Sequence, residues 1–79
     1  MEIKGRVKEV LEALCEAAEG ESRGEWRDVY IDNARAKIKD MSPYTFAGYL
    51  GALEKAGYYK PIDRYAWGEV RDEAFQVIP

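Results

Sequence analysis

The chain has 79 residues, a formal net charge of −3 and a hydrophobic content of 47%, which is enough for one domain spanning residues 1–79. A domain of this size buries a modest fraction of its surface. The common reinforcements are excluded, since Cys15 has no second cysteine to pair with and there is no histidine to help hold a structural zinc.

Two Trp, six Tyr and two Phe make apolar packing the expected source of stability, and disorder is not expected. No run has the apolar length of a membrane span. The opening Met1-Glu2-Ile3-Lys4-Gly5 lacks the apolar core of a signal peptide, so no membrane partner and a cytoplasmic location are expected. Charge is uneven along the chain: residues 1–21 carry three basic and six acidic side chains, whereas residues 22–64 carry eight basic and six acidic. A mildly basic middle between acidic ends bears on possible nucleic-acid contact more than the total does.

The first predicted element is an amphipathic helix. Ile3, Val7, Val10, Leu11, Leu14 and Ala18 recur at steps of three and four, with Lys8, Glu9, Glu12, Glu16 and Glu19 on the opposite face. Gly20 is placed to stop it, and Glu21 to Gly24 reads as a polar connector. Residues 26–39 admit two readings. Trp26, Tyr30, Ala34 and Ile38 suit one long helix, whereas Val29-Tyr30-Ile31 suits a short strand, with Asp32 capping a helix from Asn33 to Lys39. The second reading is preferred. Trp26 and Tyr49 are expected in the core.

Asp40-Met41-Ser42-Pro43 is a break followed by a restart, with Ser42 as N-cap and Pro43 in the first helical position. The following helix keeps Phe46, Tyr49 or Leu50, Leu53 and Ala56 on one stripe and ends at Gly57. Its other side presents Tyr44, Ala47, Gly48, Gly51 and Lys55. Interior glycines each cost up to about 1 kcal/mol relative to alanine, so close approach by something is implied, either the first helix crossing or a ligand. From Tyr58 the period becomes two. Tyr58 to Ile62 reads as a strand, Asp63-Arg64 as a turn and Tyr65 to Val70 as a return strand, with Asp72 to Pro79 a short tail.

Ser42-Pro43-Tyr44-Thr45-Phe46 and Tyr49-Leu50-Gly51-Ala52-Leu53-Glu54-Lys55-Ala56-Gly57-Tyr58 resemble the recognition-helix segment of winged helix-turn-helix regulators. The resemblance implies an α+β fold of about three helices with a C-terminal β-hairpin wing over 58–70. It further implies that helix 42–56 enters the major groove of double-stranded DNA. By position, Tyr44, Thr45, Gly48 and Lys55 would face the groove, Lys60 and Arg64 would lie on the wing, and Arg35, Lys37 and Lys39 would reach phosphates. The presumed reading face holds one lysine and no Arg, Asn or Gln, the side chains that usually make bidentate base contacts.

A protein partner, or a second copy of the chain, is the alternative. It would dock on the glycine-bearing helix face or on an aromatic hairpin patch of Tyr59, Tyr65 and Trp67. No enzyme is expected. The carboxylates are scattered, Cys15 has no histidine partner, and neither a phosphate loop nor metal-ligand spacing is present, so no cofactor is called for.

Overall fold

The computed structural model describes residues 5–63 and 67–77. Among the described residues the chain forms a small α+β domain of four helices and an antiparallel sheet. The order is α1 (Arg6–Ala17), β1 (Glu19–Arg23), β2 (Trp26–Tyr30), α2 (Ile31–Ala36), α3 (Pro43–Ala56), β3 (Tyr59–Asp63), β4 (Trp67–Arg71) and α4 (Ala74–Val77). The strands lie in the order β1-β2-β4-β3, so β4 is bonded on both sides. Pairing is regular from Trp26↔Arg71 to Tyr30↔Trp67, whereas β1 meets β2 with a register shift between Glu19↔Asp28 and Arg23↔Trp26.

Helix α1 buries Val10, Leu11, Ala13, Leu14 and Ala17. It stops at Ala17 rather than at Gly20, because Ala18 turns extended (φ −63°, ψ 137°) and leads into β1. The expected polar connector is therefore a strand. Its backbone groups pair with β2, and Gly24 (φ 71°) makes the tight reversal between the two strands. In the ambiguous stretch the strand-then-helix reading holds, but with earlier bounds. Tyr30 is the extended N-cap of α2, and Asp32 lies in the first turn, where it pairs with Arg35 at 3.4 Å. The shift follows from Ile31, whose burial draws it into the helix at the core edge. Beyond Ala36 the chain tightens, with Lys37 N–H donating to Ala34 O and Ile38 N–H to Arg35 O.

Helix α3 starts and ends as its local chemistry dictates. Ser42 Oγ accepts from the Thr45 N–H at 3.1 Å, and Pro43 occupies the first turn. At the far end Gly57 is left-handed (φ 88°). Its N–H donates to Glu54 O and the Tyr58 N–H to Leu53 O, the paired closure of a Schellman motif. Phe46 and Leu53 turn inward to meet Leu11, Leu14, Val10, Val29 and Val70, the largest fully buried side chains. Deleting a buried phenylalanine side chain of this kind costs about 3–5 kcal/mol.

The fourth helix, α4, goes beyond the three expected. Its Ala74 is fully buried and Phe75 packs on the core, which gives the tail apolar surface to cover and so holds it in a turn of helix. Trp26 is half-buried rather than central. The two-residue period of β2 sends Val29 inward and Trp26 to the opposite face, where Arg71 and Lys60 lie 5.5 and 5.7 Å from its ring. Tyr49 is half-buried against the core.

Candidate nucleic-acid interface on helix α3

The inward anchors Phe46 and Leu53 fix the rotation of α3, so the opposite stripe is Tyr44, Gly48, Gly51 and Lys55, with Ala47 beside it. Tyr44 is 89% exposed, and Ala47, Gly48 and Lys55 are exposed. A Cβ added at Gly48 or Gly51 would meet nothing within 4 Å among the described residues. The expectation that α1 crosses α3 at these glycines is therefore overturned: their backbone lies open. At a rise of about 1.5 Å per residue, Tyr44 and Lys55 stand roughly 16 Å apart along the helix with no polar side chain on the stripe between them. Thr45 is exposed on the flank, with its Oγ1 turned back to accept from Ser42 Oγ at 2.9 Å.

The basic residues expected on phosphates are not gathered on one face. Arg35 borders a groove of about 300 Å³ between α2 and α3, walled by Ile31, Phe46, Leu50 and Tyr44, and its guanidinium faces Asp32. Lys37 and Lys39 instead line a cleft of about 430 Å³ against α1, where Glu9, Glu12 and Glu16 offset their charge. Across that cleft Arg6 holds Asp40 in a two-pronged contact of 2.9 and 3.2 Å, which keeps the Asp40 carboxyl below its usual range. Lys60 lies opposite Glu69 on the face of the sheet away from the core and reaches over Trp26, not toward α3. Arg64 and Tyr65 fall outside the described residues.

The aromatic hairpin patch is corrected at Tyr59. This side chain is 4% exposed and belongs to the core, because Gly68 across the sheet leaves room for its ring to lie inward. Burial pushes its phenol up to about 12. Trp67 remains half-buried, its ring centroid 6.5 Å from that of Tyr30, which is 51% exposed. Neither Tyr30 nor the α2–α3 groove entered the sequence-derived set. The signal for the groove was Ile31 and Leu50 lying on helices joined by a short turn, and only the packing angle reveals it.

Burial also pushes the Cys15 thiol up to about 12, which leaves it a poor nucleophile. No group of three or more His, Cys, Asp or Glu side chains among the described residues could hold a metal ion. No helix among them is long and apolar enough to cross a membrane. Comparisons with protein-family models, curated proteins and solved structures return no match for this chain.

Proposed function

We propose that the chain is a winged helix-turn-helix domain that binds duplex DNA, laying α3 in the major groove with the β3–β4 hairpin beside it. The order α1, β2, α2, α3, β3, β4, with β2 and β3 flanking β4, is the order such a domain needs, and β1 is an addition at the sheet edge. The observation that carries the reading is α3 itself. It is a fourteen-residue helix, capped at both ends and anchored by Phe46 and Leu53, whose outward stripe from Tyr44 to Lys55 is left uncovered.

The cations near that stripe are Arg35 and Lys55. Counterion release from so few contacts supports weak, salt-sensitive binding by a monomer. Fluorescence anisotropy of a labelled duplex tests this. Binding should weaken between about 50 and about 200 mM salt, with a slope of log affinity against log salt of about −2 for two phosphate contacts. Lys55→Ala should lower affinity severalfold, whereas Lys37→Ala and Lys39→Ala should leave it nearly unchanged, since those side chains face the acidic side of α1. A duplex ignored at low salt, with protein in the tens of micromolar, would sink the reading.

The α2–α3 groove favours a second reading, in which a protein partner docks on this face. Its apolar walls Ile31, Phe46 and Leu50 would take a side chain from that partner. Salt-insensitive binding that Leu50→Ala weakens would mark that case.

A further inference from the structure

We infer that α3 reads the 5-methyl groups of pyrimidines, so that its ligand is a duplex whose major groove carries thymine methyls in the span under Tyr44 to Gly51. The inference rests on the DNA reading above and names the base chemistry that the face suits. Guanine is usually read by Arg or Lys, adenine by Asn or Gln, and cytosine by a carboxylate. On the outward face of α3 none of these lies from Tyr44 to Gly51, and the first carboxylate is Glu54, exposed on the flank of Ala47 beside Lys55.

What the stripe does offer is apolar. Tyr44 stands 89% exposed as an aromatic wall, Ala47 presents a methyl, and Gly48 and Gly51 leave bare backbone with nothing within 4 Å of a built Cβ. The hydroxyl on the flank, Thr45 Oγ1, is turned back to the Ser42 cap at 2.9 Å. Cations stand at the two ends: Arg35, whose guanidinium also faces Asp32 at 3.4 Å, shares the groove with Tyr44 at the start of α3, and Lys55 closes the stripe. Positive charge at both ends with an apolar floor between them matches phosphates on the two sides of a groove and methyl groups in its middle. Glycines also let the helix axis lie deeper than side chains would allow, which brings that floor against groups projecting from the bases.

The test compares alternating A·T, A·U, G·C and G·5-methylcytosine duplexes of equal length in the same anisotropy assay at low salt. The A·T and A·U duplexes share a minor groove and a backbone and differ in the methyl alone. Each methyl buried on α3 should strengthen binding about fourfold. A·T is therefore expected to bind at least about fourfold tighter than A·U, and G·5-methylcytosine similarly tighter than G·C. Ala47→Asn, at an exposed position, should flatten both ratios while salt-dependent binding persists, with circular dichroism confirming the helix content. Equal affinity for A·T and A·U overturns the inference and leaves DNA binding standing. A methyl preference unchanged in Ala47→Asn and Tyr44→Ala overturns its assignment to α3. Failure of all four duplexes to bind overturns the inference together with the reading beneath it.

Discussion

Gly68 in β4 and the pair Gly48 and Gly51 in α3 are the same residue under opposite demands. A Cβ at Gly68 would stand 2.6 Å from Tyr59 Oη, 2.7 Å from Tyr59 Cε1 and 2.8 Å from the carbonyl oxygen of Lys60. The fold itself requires that glycine, since it is what lets a tyrosine from β3 lie flat inside the sheet. At Gly48 and Gly51 no described group would touch an added methyl, and alanine would make the better helix. A glycine that the folded chain uses, set beside two with no described neighbour, separates an internal packing constraint from a helix face on which the described residues impose none.

Gly68→Ala should show the largest effect. Relief would need a shift of the Lys60 backbone as well as of a buried ring, so a loss of about 1–3 kcal/mol or more is expected from chemical denaturation. Combining it with Tyr59→Phe should recover only part of that loss, because the Cε1 and Lys60 contacts remain. A fully additive double mutant would deny that the ring and the glycine are coupled. Gly48→Ala and Gly51→Ala should act in the reverse direction, each raising stability by up to about 1 kcal/mol. If a ligand approaches the bare helix, the same changes should weaken its binding. Higher stability with unaltered affinity would show that nothing comes close there.

Alkali should separate the regions more gently. The Tyr59 phenol, raised from 10.0 to about 12, stays neutral when folded, so its contribution is complete below pH 10.0 and is lost as pH rises to about 12. Cys15, raised from 9.0 to about 12, adds a loss that begins near pH 9.0. Thermal midpoints should therefore fall across that window. Tyr59→Phe should keep the share due to Cys15 and remove its own.

Much of this comparison was legible in the sequence, and its legible parts share a physical cause. Ser42-Pro43 and Gly57 are local instructions, satisfied by hydrogen bonds within a turn, so α3 begins and ends as its residues indicate. The outward stripe of Tyr44, Ala47, Gly48, Gly51 and Lys55 follows from helical spacing once Phe46 and Leu53 are recognised as anchors. β1 was not legible, because Glu19–Arg23 has neither alternation nor β-branched residues; it is a strand only because β2 offers it an edge. The inward turn of Tyr59 depends on a residue nine positions away. The division of the cations, with Lys37 and Lys39 lost to α1 while Arg35 remains beside α3, depends on how three helices meet, which spacing along one helix does not encode.

The place of β4 also bears on how the chain is made. Its partners β2 and β3 are not hydrogen-bonded to each other, and β4 alone pairs with both, with Trp26 meeting Arg71. During synthesis α1, α2 and α3 can gather locally, yet the sheet has no central member until residue 71 has left the ribosome. The edges of β2 and β3 that β4 pairs wait unsatisfied until then, and closing so long a loop late is slow compared with forming the helices. A nascent chain stalled before Trp67 would display that unfinished sheet to any chaperone or protease nearby.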